Sequence, residues 1–364
     1  MQKSRCVRLP VRSCPVLRRR VRNGSRHRHA APAFLSNFRH RQWPNRTQCA
    51  PCRRCLTQPA PLFDPSKSST FSALPCSNEL CQDLGNTSYY CGTKNQCIYH
   101  YTYGDATSSR GVFGSETFTF GSTNKVRIPH VGFGCGTINA GSLNNGSGIV
   151  GFDLNPLSLI SQLGITKFAY CLTYFTGTKR SSLLLGSLAD IYSHTLGPVQ
   201  TTTLVRYPSE YYYVPLTGIT VGKKRLNIPK SAFVVDKNLN GGVIVDSGTS
   251  LTQLVDVAYK KVKKAFISYM KLPVLTNFSD IDLCFSKSSP AHVEVPNFVF
   301  HFEGADMDLP RQNYIFEDDH MMCLAMSPST GLNIIGNIQQ HNFQIVYDVE
   351  NNKFSFAPVQ CDQL

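Results

Sequence analysis

Two distant stretches of this chain repeat one pattern. "NGSGIVGFDLNPLSLISQL" at 145–163 and "GLNIIGNIQQHNFQIVYD" at 331–348 each set two β-branched residues before a glycine and then a short helix-forming run. An echo of this kind is what a duplicated lobe would look like, and it raises the question of what else each lobe should own. The remaining material reads as all-β: runs such as "GSETFTFGS", "HVGFGCG", "YYYVPLTGITVG" and "FVFHFEG" are short, alternating or apolar, and punctuated by Gly, Pro, Asn and Ser. Helical spacing is confined to "DVAYKKVKKAFISYM" at 256–270, with brief candidates near "LSLISQLG" and after Gly336. The 364 residues can bury one large core or two medium ones, and no run of 18 apolar residues is present, so no membrane span is expected.

The formal charge of +14 is unevenly placed. Residues 1–63 hold fourteen Arg, one Lys and no acid, leaving 22 basic against 23 acidic residues from Asp64 onward. Such asymmetry ordinarily marks a nucleic-acid arm, a membrane-surface segment or a targeting peptide. Arginine interrupts every candidate apolar stretch in the first forty positions, so no signal peptide is recognisable there.

Twelve of the fourteen cysteines lie between Cys49 and Cys361. "CAPCRRC" at 49–55 has spacing that would suit zinc or an iron–sulfur cluster. An even set of twelve, with glycosylation sequons at Asn86, Asn145 and Asn277, instead favours disulfides formed on an oxidising secretory route.

In "GGVIVDSGTSLTQL" at 241–254 an apolar strand delivers Asp246 into a tight Ser-Gly turn, placing a carboxylate among hydroxyls and backbone N–H groups. Taken with "NIIGN", "VYDVENNKFSFAPV" and "YTYGDATSSRGVFGSETFTF", this motif resembles the pepsin-type aspartic proteases. "TQCAPC", "LPCSNELCQ", "PLSLISQL", "KFAYCLT" and "GNIQQ" are similar to the plant nepenthesin-like branch, over about residues 47–364. The resemblance implies an all-β, bilobal pepsin-like fold with a few short helices, divided into a segment 1–46, a lobe 47–198 and a lobe 199–364. It implies acidic endopeptidase chemistry on a protein or peptide substrate by a monomer, without cofactor, metal, nucleic acid or membrane. It also implies a secreted, extracellular or vacuolar location. Two carboxylates, one per lobe, share a proton and a water in this family, because like charges so close cannot both ionise. Asp246 matches the second-lobe carboxylate, with Ser247, Gly248 and Thr249 forming its loop. Tyr103, Gly104 and Asp105 match the flap that closes over substrate. Cys284 and Cys323 are expected to pair, and the seven cysteines from 49 to 97 to pair among themselves or with later ones. His301 and His341 show no partner spacing and read as surface or core residues.

The first-lobe carboxylate of the family stands ten residues before the Cys of "TQC", a count that lands on Arg39, and no acid lies upstream. Read in the neighbouring frame, codons compatible with Arg39 to Asn45 can encode Asp-Thr-Gly-Ser-Gly-Leu-Ile, with a Trp regained at Arg46. In the same frame "HRHAA" at 27–31 can give Ile-Gly-Thr-Pro-Pro, the motif the family carries seven residues before its Asp. Residues up to about Arg46 are therefore expected to be an out-of-frame reading of a normal lobe start, poorly packed or only partly recruited to the first sheet. The chain as written is expected to have little or no peptidase activity. Without the family's Trp, Tyr103 is expected to be loosely held. A non-catalytic binding protein of the plant xylanase-inhibitor type is the alternative, disfavoured by the intact "DSGTS". A basic nucleic-acid or zinc protein is a third reading, which the frame argument weakens.

Overall fold

The computed structural model describes the backbone of residues 7–11 and 36–39, and residues 44–364 other than 104–105, 122–124, 144–145, 175–180, 192–193, 276–280 and 288–292. The chain divides into two compact units, Met1–Phe168 with Phe175–Ala189, and Ala169–Tyr174 with Asp190–Leu364. Strands dominate both, and the described residues contain three α-helices.

The first unit is built on an eight-stranded sheet whose centre is the long antiparallel pair Ser108–Phe120 and Val126–Ala140. The glycines of "HVGFGCG" let large rings lie flat on this pair: a Cβ on Gly134 would stand 2.5 Å from the Tyr99 ring. Tyr99 is fully buried there, and Phe63, Phe71 and Phe118 gather around Phe133 on the same sheet. The N-terminal region is partly recruited, as expected, through two short strands among its described residues. Ser36–Arg39 runs parallel to Gly148–Gly151, and Val7–Val11 pairs antiparallel with Ser181–Leu185. Asn45 and Arg46, inside the segment read as foreign, are buried at 1% and 3% exposure, because Arg46–Gln48 is a strand wedged between Gly134–Gly136 and Gly148–Ile149.

The second unit carries three four-stranded sheets. One joins Val243–Val245, Asn333–Ile335, Thr252–Val255 and Met326–Ser329. The helix Asp256–Met270 follows directly and buries Ala258, Tyr259, Val262, Phe266 and Met270, the stripe its sequence spacing predicts. Asp256 in its first turn pairs with Lys260, and it ends where Lys271 turns left-handed at φ 52°. Phe266 meets Phe298 and Tyr314 beneath the helix.

All twelve cysteines from 49 to 361 are paired: Cys49–Cys135, Cys52–Cys55, Cys76–Cys91, Cys81–Cys97, Cys171–Cys361 and Cys284–Cys323. Cys49, Cys52 and Cys55, the thiolates a zinc site would need, are all tied into these bonds. Closing chain loops of such lengths contributes about 2 to 4 kcal/mol per bond.

His301 and His341 diverge in setting. His301 is half-buried between Thr220 and Asp306, whereas His341 is buried with its ring edge-on to Tyr174 at 5.4 Å. Burial holds His341 down to about 3, so the folded chain keeps it neutral while the unfolded chain protonates it below its ordinary 6.5. This stability is intact above pH 6.5 and is lost progressively as pH falls towards 3. We predict that His341→Phe flattens the decline in stability between pH 7 and pH 4 by on the order of 3 kcal/mol, read from urea midpoints at the two pH values. An unchanged decline would show that the imidazole titrates normally in the fold.

Candidate active site

Asp246 emerges from a strand of three buried β-branched residues, Val243–Val245, paired parallel with Asn333–Ile335. The ladder continues one residue further, since the Asp246 N–H donates to the Ile335 carbonyl at 3.0 Å. The Asp-Ser-Gly turn then folds back on the side chain. Asp246 Oδ1 accepts from the Gly248 N–H at 2.8 Å, an Asx-type turn, and Oδ2 accepts from Thr249 Oγ1 at 2.6 Å. Asp246 is 3% exposed, Ser247 and Gly248 are buried, and Thr249 is half-buried.

A second layer fixes this loop. Asn337 donates its side-chain amide to the Ser247 carbonyl at 3.0 Å and its backbone N–H to the Thr249 carbonyl at 2.7 Å. Gly336 donates its N–H to Thr252 Oγ1 at 2.9 Å, and a Cβ there would lie 2.5 Å from the Ser250 carbonyl oxygen, so only glycine fits. Below, Tyr347 donates to the Val245 carbonyl at 3.0 Å and Tyr170 donates to Gln340 Oε1. Burial, with the Asp246 charge adding to it, pushes both phenols well above their usual range, which keeps them as donors.

The first unit repeats this construction strand for strand. Ser36–Arg39 pairs parallel with Gly148–Gly151 in the register Phe38 opposite Val150 and Arg39 opposite Gly151. In the second unit Val245 stands opposite Ile335, which places Asp246 one step on, beside Gly336. The clamp recurs as well: the Gly151 N–H donates to Asn45 Oδ1 at 3.1 Å, as the Gly336 N–H donates to Thr252 Oγ1. Asn45 follows Arg39 by six residues, and Thr252 follows Asp246 by six. The next residues also correspond, Arg46 standing opposite Ile149 and Gln253 opposite Ile334. Backbone register therefore assigns Arg39 the place that Asp246 holds, independently of the spacing to Cys49.

Residues 43–187 match the family described as "Xylanase inhibitor N-terminal" and residues 211–358 match "Xylanase inhibitor C-terminal". The chain is 47% identical over 323 residues to the aspartic proteinase nepenthesin-1 of Nepenthes gracilis, covering 86% of this chain and 72% of that one. The chain belongs to the nepenthesin-like plant aspartic proteases. Nepenthesin-2 of the same plant is 41% identical over the same coverage, and aspartyl protease family protein 2 of Arabidopsis thaliana is 39% identical, covering 86% of this chain and 65% of that one. The fold is shared with edgp, TM-score 0.67 at 18% identity over 90% of this chain and 88% of that one. It is shared equally with the basic 7S globulin from soybean, TM-score 0.68 at 18% identity over 88% of both chains.

Of the residues matched to the flap, Gly104 and Asp105 lie outside the described residues, while the Tyr103 N–H donates to the Thr107 carbonyl at 2.8 Å. Tyr103 is not loosely held. It is 4% exposed, packs edge-on against Tyr101 at 4.8 Å, and its hydroxyl accepts from Arg46 Nε at 2.8 Å. The Arg46 guanidinium lies 4.7 Å from the centre of the Tyr103 ring, so a cation takes up the bracing position where the frame-shifted reading places the family's Trp. Its remaining nitrogens, Nη1 and Nη2, are buried with no hydrogen-bond partner among the described residues. The hydrogen-bonding and packing roles of Arg46, Asn45, Thr252 and Asn337 escaped the sequence reading. The matched six-residue intervals to Asn45 and Thr252 were the signal that could have revealed the clamp.

A buried cation with two unsatisfied nitrogens costs several kcal/mol that hydration would otherwise supply. We predict that Arg46→Met, which keeps an unbranched stem over the Tyr103 ring, stabilises the chain by about 1 to 4 kcal/mol in urea denaturation. A loss of stability would show that the guanidinium is compensated where it sits.

Proposed function

We propose that this chain is a nepenthesin-like acid endopeptidase in design, hydrolysing protein or peptide substrates, whose catalytic pair is incomplete as written. The observation that carries this reading is the equivalence in backbone register between Arg39 and Asp246. In the complete pair an ionised carboxylate takes the proton of a water that attacks the scissile carbonyl, while the protonated carboxyl polarises that carbonyl oxygen. Asp246 supplies one member, oriented by the Gly248 N–H and the Thr249 hydroxyl. Ser247 completes its loop, and Tyr103, with Gly104 and Asp105, belongs to the flap that excludes water. Arginine at 39 can neither accept nor share that proton. Restoring the neighbouring frame from about residue 27 to 46 regenerates the missing Asp-Thr-Gly-Ser turn, and we take that to be the ancestral reading.

No cofactor, metal or nucleic acid enters this chemistry, and the protein acts as a monomer away from membranes. Six disulfides and the exposed sequon at Asn86 favour a secreted or vacuolar glycoprotein; the sequons at Asn145 and Asn277 lie outside the described residues. The second reading is a non-catalytic binding protein like the xylanase inhibitors, favoured by the description of both matched families and by the cation at 39.

The test is turnover of a denatured protein substrate between pH 2 and 6 by the chain as written, its frame-corrected counterpart, and Asp246→Asn in each. The frame-corrected chain should cleave, and Asp246→Asn should abolish that cleavage. The chain as written should fall at least about 100- to 10,000-fold below it. Robust cleavage by the chain as written, removed by Asp246→Asn, would mean that another group replaces the missing acid.

A further inference from the structure

Four of the six disulfides join cysteines that are at most 3% exposed. The two that solvent reaches are Cys76–Cys91, where Cys91 is exposed, and Cys52–Cys55, where both cysteines are half-buried, and they differ in loop length and in neighbouring charge. Cys76–Cys91 spans 15 residues and has no charged neighbour in sequence on either side. Cys52–Cys55 spans three, in "CRRC", with Arg53 and Arg54 both exposed and in no ion pair among the described residues. Cationic neighbours and Cys-X-X-Cys spacing stabilise the thiolate, and a stabilised thiolate is the better leaving group when a disulfide is attacked. The three-residue loop also removes the least chain entropy of the six, so opening it costs the fold least.

The loop does not depend on its own disulfide for its shape. The Arg53 and Arg54 N–H groups donate to the Thr137 carbonyl at 2.9 and 3.2 Å, and the Asn139 N–H donates to the Arg54 carbonyl at 2.8 Å. On the other side, Gln48 closes a two-way bond with Leu56, donating from Nε2 at 2.9 Å and accepting at Oε1 at 2.6 Å. Both cysteines are thus held in place from β-strand backbone and from a buried glutamine after the S–S bond opens, ready to close again.

We propose that Cys52–Cys55 is a redox-active site that exchanges with low-molecular-weight thiols of the glutathione class while the other five disulfides stay closed. An external thiolate attacks one sulfur, forming a mixed disulfide and releasing the other cysteine as a thiolate beside Arg53 and Arg54. A second external thiol then displaces the protein from the mixed disulfide. Two external thiols are oxidised to one disulfide, two electrons pass to the protein, and the two protons end on Cys52 and Cys55. The site also touches the flap hairpin: Asn139, which bonds the Arg54 carbonyl, accepts from Ser109 Oγ at 2.8 Å at the foot of the strand that follows Tyr103 and Thr107. This inference does not require peptidase activity.

The test is to expose the intact chain, undenatured at pH 7, to graded reduced glutathione, trap free thiols with iodoacetamide, and locate the labels by peptide mass mapping. Cys52 and Cys55 should label at least tenfold faster than Cys76 and Cys91, with the circular-dichroism spectrum unchanged, and oxidised glutathione should reverse the opening. Exchanging both cations, Arg53→Gln with Arg54→Gln, should slow labelling of this pair several-fold and leave Cys76 and Cys91 unchanged. Opening of Cys76–Cys91 first, opening of the Cys52–Cys55 pair only with global unfolding, or indifference to the arginine substitutions would each overturn the proposal.

Discussion

Everything at the candidate site hangs on a parallel strand pair closed by one side chain from a third strand. In the second unit Val243–Val245 lies beside Asn333–Ile335, and Thr252 reaches over to take the Gly336 N–H. Parallel neighbours cannot be joined by a tight turn, so the partners come from distant parts of the chain and their register must be locked from outside. The clamp does this at the glycine where the backbone approaches too closely for any side chain. Once the register is locked, the residue that leaves the strand has no choice of position. In the second unit the residue beside the clamped glycine is Asp246; in the first it is Arg39.

The same geometry explains how the two units tolerate different chemistry at equivalent points. Asn45 and Thr252 are unlike residues doing one job, because all that is required is an acceptor oxygen within reach of a glycine N–H. One residue later the correspondence stops being conservative. Gln253 is half-buried, whereas Arg46 is enclosed and carries charge into a region otherwise lined by Tyr101, Tyr103, Leu143 and Ile149. The Tyr103 hydroxyl and ring face are what this guanidinium gains in return for lost hydration, a cation–π contact and one hydrogen bond against two nitrogens with no hydrogen-bond partner among the described residues.

Much of this was legible in the residues. The helix at 256–270 follows from its apolar spacing, and Asp246 stands out because an acid that ends three β-branched residues must be held by its own turn. The echo at Gly148–Gly151 and Asn333–Gly336 correctly announced the duplication. Other features depend on contacts that no local pattern encodes. Cys49 meets Cys135 because Thr47 happens to pair with Cys135 across parallel strands, a long-range register that cysteine spacing cannot reveal. Arg46 defeats sequence reading for a different reason. Buried arginine is rare enough that any composition argument places it at the surface, and here its strand, wedged between two others, keeps it 3% exposed.

The central claim is that residue 39 occupies the strand-exit position matched by residue 246, and it rests on register alone. Backbone amide nuclear Overhauser effects in deuterated protein read that register directly. The account predicts contacts linking Arg39 with Gly151 that mirror those linking Asp246 with Gly336. Contacts that instead join Phe38 to Gly151 would shift the first strand by one residue and contradict the equivalence.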